Sequence, residues 1–598
     1  MLLRASVGLL CLVIGSLAAC GQPPGSSQGS ATAAEAQPES TSLWRLRVRR
    51  ELAQLKPPAP PPATGNPVDA FLAAWWKKNG VTPPPLCDDR TYLRRASLDL
   101  NGLLPNEREL DAFLADRRPD KRERLVGELL ANRQAYAEHW MTFWNDLLRN
   151  DELQLIEVNR RTITPWLLQS LLDNKPYDEF TAELIGPAIN GPVGFIQGVE
   201  WKFATSASET PPMQAARSVA QVFQGVNLKC ASCHDSFTGP RKLDEAWNMA
   251  ACFSEKPLEP QRCDKPTGRT ATPKFLFAEV GDVPADLPME MRREAVAMLV
   301  TRPRNPRFAK VIVNRLFRQL FGQGIVETVD DLDGQTGFCP ELLDYLAFDL
   351  MKHDYDLKRT LRLLATSKAY QSVAVHGSVA NKTRDEGESL IAPPRAKVTQ
   401  GDSPILAPQD NITVGSQKSG QSPAPQKLGQ SPFAGPRRKR MTAEQFADAL
   451  ATVTGYWPKP ELVPAEQAAE APRAWRHRTP DALATALGRP SRDVINSLRP
   501  EAATVLQSLE LINGEVLQER LTKGAERLLA GPLGREPDIN KVVNTICRRA
   551  YSRDATPAEI EQGRMLLGTP QDGPAKRRAG WEDFLWLIVV RGEFQYIE

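Results

Sequence analysis

Histidine is scarce in this chain, at 5 of 598 residues, and cysteine is little commoner at 9. So few histidines leave little room for a multi-histidine metal centre. Neither sign of charge is in excess: 75 Lys and Arg stand against 72 Asp and Glu. That balance excludes an electrostatic nucleic-acid binder, which needs a basic face. The chain also lacks a glycine-rich nucleotide-binding pattern and a nucleophile elbow. Strand-like alternation is sparse, while helical spacing of apolar residues recurs, so the fold expected is mainly α, with long irregular connections.

Against that background one stretch stands out. Cys230-Ala231-Ser232-Cys233-His234 is C-x-x-C-H, the pattern that attaches c-type haem. Two thiols three positions apart reach the two vinyl groups on one porphyrin edge, and the next residue offers an imidazole to the iron. The expected cofactor is therefore haem c, held by Cys230 and Cys233, with His234 as the proximal metal ligand. The rival readings are half of a zinc site and a C-x-x-C disulfide. No second C-x-x-C-H occurs. The distal ligand is not legible; Met213, Met249 and Met289 are candidates, with Cys339 and His139 behind them. Each methionine is also an ordinary core residue by type.

The N-terminus agrees with that chemistry. Arg4 precedes the apolar run Val7–Ile14, and Leu17-Ala18-Ala19-Cys20 follows. A charged start, an apolar stretch and small residues before a cleavage point describe an export signal. The run is too short for a spanning helix, which needs about 20 apolar residues. Leu-Ala-Ala-Cys resembles a bacterial lipobox, which would make Cys20 the acylated first residue of the mature chain. Ordinary cleavage nearby is the alternative. Residues 1–19 are expected to be removed and 20–65 to be a flexible tether, with one short helix from Ser42 to Leu55 and then the stiffer proline run from Pro57 to Pro62. The expected location is the cell envelope, outside the cytoplasm, with the membrane reached through a lipid anchor. Of the cysteines left over, Cys252 and Cys263 could bridge a proline-rich loop, as an oxidising compartment permits.

Helix signals organise the rest. Asn66-Pro67 pairs a cap with proline at the first helical position, and Asn305-Pro306 repeats it. Asp120 with Glu123, and Thr442 with Gln445, have capping-box spacing. Gly225 and Gly322 close apolar-periodic runs from Pro211 and Pro306. Tyr136, Trp140, Phe143, Trp144, Leu147 and Leu148 fall on one helical face, which reads as core ahead of a haem wall. His139 reads as structural. The organisation expected is a helical domain over 66–285 carrying the motif, and a second over 286–376 and 436–598, interrupted by a disordered insertion over 377–435. Asp330, Asp331 and Asp333 invite a calcium reading, but Val329 stands where an EF-type loop wants an acid. A solvated turn is expected instead.

Two sets of short motifs carry a resemblance. The first runs from Tyr92-Leu93-Arg94-Arg95-Ala96-Ser97-Leu98-Asp99-Leu100-Asn101-Gly102-Leu103 through Asp120-Lys121-Arg122 and Val222-Phe223-Gln224-Gly225-Val226 into C-x-x-C-H. The second holds Asn305-Pro306-Arg307-Phe308-Ala309, Val313-Asn314-Arg315-Leu316, Pro340-Glu341-Leu342-Leu343-Asp344 and Leu511-Ile512-Asn513-Gly514. Together they resemble the planctomycete-type PSCyt/PSD two-domain family, whose domains are associated with cytochromes and have no assigned activity. Two positions depart from the family pattern. Ser236 and Cys339 stand where the family has histidines, which weakens any ligand role those histidines carry.

The function expected is an exported, lipid-anchored c-type haem protein that passes electrons to a redox partner protein. The alternatives are a haem- or metal-dependent extracytoplasmic enzyme and a non-catalytic scaffold with a C-x-x-C disulfide.

Overall fold

The structure is a computed structural model. It describes residues 39–150, 163–187, 192–197, 206–375, 433–460, 472–477, 480–492, 494–500, 502–569 and 571–598. The leader, Cys20 and most of the stretch expected as an insertion lie outside these residues. The segment up to Val48 forms one unit, and Arg49–Glu598 forms the other.

The chain is mainly α. Its first helices are α1 (Glu39–Leu52), α2 (Pro67–Asn79), α3 (Asp89–Asn101), α4 (Glu107–Ala115), α5 (Lys121–Ala131) and α6 (Arg133–Leu147). Next come α7 (Ile163–Leu172), α8 (Tyr177–Ile185), α9 (Pro211–Gln224) and α10 (Leu243–Ala251). A small hairpin, β1 (Gln261–Arg262) with β2 (Lys265–Pro266), follows. Then come α11 (Met289–Thr301), α12 (Pro306–Phe321), α13 (Pro340–Lys352) and α14 (Leu357–Ala365). The remainder holds β3 (Lys439–Arg440), α15 (Ala443–Thr454), α16 (Ala482–Ala486), α17 (Val505–Asn513) and α18 (Glu515–Ala530). It closes with α19 (Ile539–Tyr551), α20 (Pro557–Leu566), α21 (Pro574–Val590), α22 (Gly592–Gln595) and β4 (Tyr596–Ile597), which pairs antiparallel with β3.

The caps explain where many helices start. Asn66 accepts from the Val68 amide, and Thr442 and Gln445 form the full capping box of α15. Two expected caps are absent. Asp120 makes no capping bond because its backbone (φ −93°, ψ 10°) is not extended. Asn305 spends its amide elsewhere, on Gln224 Oε1 and the Leu299 and Val300 carbonyls. Proline at the first position starts α12 without it.

The aromatic face of α6 is core. Trp144 packs 4.6 Å from the Phe180 ring and 5.8 Å from Tyr177. Tyr177 in turn stacks on Phe308 of α12 at 4.5 Å. Another cluster joins Leu98 and Leu104 to side chains from Met441 through Ile597. Apolar burial therefore runs through residues widely separated in the chain.

The polar motif residues do the same. Arg94 donates to the Tyr596 and Phe594 carbonyls, and Arg95 to those of Glu598, Ser372 and Tyr370. Asp99 accepts from Tyr370 Oη at 2.8 Å and Lys439 Nζ at 2.6 Å. On α12, Arg315 donates to the Gln221 and Val222 carbonyls at the end of α9, and Arg307 to that of Gln224. A buried guanidinium needs acceptors or it costs several kcal/mol, so these arginines fix how α3, α9 and α12 pack.

Candidate functional site

Cys230, Cys233 and His234 lie on one helical turn between α9 and α10. Gly225 ends α9 in a left-handed conformation (φ +57°). A Cβ there would come within 2.8 Å of Val311 Cγ2, so glycine is needed for space as well as for backbone. The turn itself is built by backbone bonds: the Ser232 amide donates to the Leu228 carbonyl, and the Cys233 and His234 amides donate to that of Cys230.

Residues three apart on a helical turn share a face. Ala231 and Ser232 point inward and are buried, and Trp247 Nε1 donates to the Ser232 carbonyl at 3.2 Å. Cys230, Cys233 and His234 are consequently half-buried together on the other side. Asp235 anchors the exit by accepting from the Leu243 amide, the first residue of α10, at 2.9 Å. That bond, with the nearby Arg262 guanidinium, holds its carboxyl below the usual range.

His234 is oriented by its own chain. Its Nδ1 lies 2.8 Å from the Asp235 carbonyl, and a ring N–H directed there leaves Nε2 with the lone pair. The ring packs 4.5 Å from that of Phe237, which is 87% exposed. Sequence reasoning missed Phe237; its signal was only an aromatic three residues past the histidine in a polar loop. Ser236 holds the loop, accepting from the Thr238 and Gly239 amides.

A second feature was missed. The hairpin β1–β2 turns at Cys263 and Asp264, both at positive φ (48° and 62°). The Cys263 amide donates to the Cys233 carbonyl at 2.9 Å, which makes the two cysteines neighbours. Burial and that neighbouring sulfur push the Cys233 thiol up. The bridge considered between Cys252 and Cys263 is not formed. Cys252 is buried, its Sγ facing the Asn248 and Lys274 carbonyls, whereas Cys263 is exposed beside Cys233.

Of the other candidates, three are buried and two half-buried. Met213 and Met249 are fully buried in α9 and α10, and Met289 is half-buried at the start of α11. Cys339 is buried ahead of α13, and burial pushes its thiol up to about 11. His139 lies 3.1 Å through Nε2 from the Asp99 carbonyl. Burial, and then the Arg473 guanidinium, push its pKa down to about 3, so it is a neutral structural histidine.

The acidic loop is not a solvated turn. Asp333 is 5% exposed and clamped by Arg241 at 2.6 Å and Arg307 at 2.7 Å. Both guanidiniums sit 4.8 Å from the Phe277 ring. Asp330 takes Arg315 at 3.0 Å and Gln221 Nε2 at 3.2 Å. Among the described residues no group of three or more His, Cys, Asp or Glu is placed to hold a metal ion.

Residues 67–257 match the family PSCyt2, described as a protein of unknown function (DUF1549). Residues 292–401 and 416–567 match PSD1, also a protein of unknown function (DUF1553). The chain belongs to the PSCyt/PSD two-domain family. No curated protein and no solved structure matches it. The turn thus sits in the PSCyt2 part, while the arginines that pack against α9 come from the PSD1 part.

The turn's donor set is chemically suited to haem c. Two thiols and a directed imidazole nitrogen share one face, with an exposed aromatic beside them. Two cavities lie elsewhere: one of about 420 Å³ beside Arg94 and Glu593, and one of about 140 Å³ beside His139 and Lys439. Neither is lined by the turn.

Proposed function

We propose that this chain is an exported, lipid-anchored c-type haem protein that transfers electrons. The observation that carries the reading is the shared outward face of Cys230, Cys233 and His234, with His234 Nδ1 already directed to a carbonyl. Cys230 and Cys233 would hold the porphyrin edge through thioethers, and His234 would be the proximal ligand through Nε2. Haem c supplies one-electron chemistry when bound.

The chain's own residues do the rest. The Asp235 carbonyl fixes the tautomer and the orientation of the ring, as outer partners of ligating histidines do. Phe237 offers apolar surface to a flat ring system at no folding cost, since it is already exposed. Trp247 and Ala231 pack the inner side of the turn, so the thiols are held at fixed separation. Acylation at Cys20 would keep this body at a membrane, where a redox protein is the partner. Among the described residues no helix is long and apolar enough to cross a membrane.

The test is expression in a host with working cytochrome c maturation. The haem spectrum should survive acid-acetone extraction, and mass analysis of the N-terminal peptide should show Cys20 acylated. A colourless protein overturns the haem reading, and an unmodified Cys20 overturns the anchor.

A further inference from the structure

The turn carries a third thiol that the haem reading does not use. Cys263 occupies the first position of a two-residue hairpin turn, and Asp264 the second. Such turns want φ > 0 at both positions, which glycine and asparagine provide and cysteine resists. Strands of two residues do not stand alone in water. Contacts at its tip hold this hairpin. Cys263 N–H donates to the Cys233 carbonyl, Ser206 Oγ donates to Asp264 Oδ1 at 2.8 Å, and Arg262 pairs with Asp235 at 3.6 Å. All three tie it to the C-x-x-C-H turn or its approach. The residue at positive φ at the tip is thus the one whose backbone bonds Cys233.

The other described cysteines differ. Cys87, Cys252, Cys339 and Cys547 are buried, and burial pushes their thiols up, to about 12 at Cys252 and Cys547. A buried, protonated thiol is inert. The described thiols that are not buried are therefore those of Cys230, Cys233 and Cys263. The amide hydrogen bond sets the Cys263 backbone directly beside that of Cys233, and a disulfide joins residues whose Cα atoms are neighbours, roughly 5–6 Å apart.

We propose that Cys233 and Cys263 form a disulfide in the haem-free chain, closing the hairpin tip onto the turn and leaving Cys230 as the free thiol. The oxidant is a small-molecule or protein disulfide of the glutathione type. The exposed Cys263 thiolate attacks it, forming a mixed disulfide and releasing one thiolate, which takes up a proton. Cys233 then attacks the Cys263 sulfur and expels the second thiolate. Two S–H bonds and one S–S bond are lost, and one S–S and two S–H bonds form. On the haem reading above, the bridge occupies a thiol that attachment needs, so reduction must precede attachment. The bridge itself stands on the geometry of the turn alone.

The test uses the full chain from a host without cytochrome c maturation, equilibrated in glutathione buffers of rising oxidised fraction. Free thiols are then alkylated and the unreduced protein is peptide-mapped. The expected result is a peptide pair joining Cys233 to Cys263, with Cys230 alkylated. Cys230→Ser should keep that pair, and Cys263→Ser should abolish it while melting at the wild-type temperature under reducing conditions. A wild-type protein bridged Cys230 to Cys233, or one with all three thiols alkylated or singly glutathionylated throughout, overturns the proposal. Because no haem is present, this outcome is independent of whether the chain binds it.

Discussion

The C-x-x-C-H turn and the acidic loop Asp330–Asp333 flank the same end of α9, where the Gly225 carbonyl accepts from the Leu332 amide at 2.8 Å. Both concentrate residues capable of chemistry, yet they use them in opposite ways. The loop turns its carboxylates inward and commits them, Asp333 to Arg241 and Arg307, Asp330 to Arg315 and Gln221. The turn buries its two plain residues and shows its two thiols and its imidazole. Charged groups with all their oxygens spoken for hold a fold together. Groups held in place by backbone bonds and half-open to solvent, with no ion pair to satisfy, are the ones available to a ligand.

The largest expected effect falls on the turn. Replacing Cys230 and Cys233 together by Ala should abolish covalent haem entirely. The haem-free chain should lose less than about 1 kcal/mol of stability, because both side chains are half-exposed. Denaturant unfolding of the apo variant measures this, and a large loss would show the turn to be structural.

On the loop the expectation reverses. Asp333→Ala takes the shared carboxylate from two largely buried guanidiniums and leaves Arg241 only the half-exposed Glu245 as a carboxylate partner, a loss of about 3 kcal/mol, with no direct change at the thiols. Chemical denaturation checks it, and a variant as stable as wild type would mean the clamp is dispensable.

His139 sharpens the contrast with His234. Its folded pKa of about 3 lies below the ordinary 6.5, so the unfolded chain takes up the proton first. Its contribution is complete above pH 6.5 and is lost at roughly 1.4 kcal/mol per pH unit as pH falls toward 3. His139→Gln should flatten that part of the stability profile. Identical slopes in both proteins would contradict a neutral, buried imidazole.

Phe237→Ala is the smallest change. An exposed ring contributes little to folding, so stability should move by less than about 0.5 kcal/mol. The haem absorption bands should shift all the same if the ring lies against the cofactor.

Much of the helical framework was legible because its signals are local. The helices Pro211–Gln224 and Pro306–Phe321 are bounded by residues within them or next to them, proline at the start and Gly225 or Gly322 at the end. α16 escaped because it is only five residues long, whereas α20 was missed although Thr556, Pro557 and Glu559 give it a capping box with proline at the first position. The pairing of Asp333 with Arg241 spans 92 residues, and that of Lys439 with Asp99 spans 340, so no local pattern announces either. Those partners turned an apparent solvated acidic turn into a buried clamp. The approach of Cys263 to Cys233 was hidden for the same reason: the hairpin strands are two residues long, and its turn lacks the usual glycine. The family motifs were legible as a resemblance, but not that Arg94, Arg95, Arg307 and Arg315 spend their donors on distant carbonyls.

The most direct measurement is the intact mass of the mature chain purified from a haem-maturing host, followed by peptide mapping. Haem attachment predicts added mass equal to one haem, located on the peptide holding Cys230 and Cys233. A mature chain of unmodified mass at that peptide would contradict it.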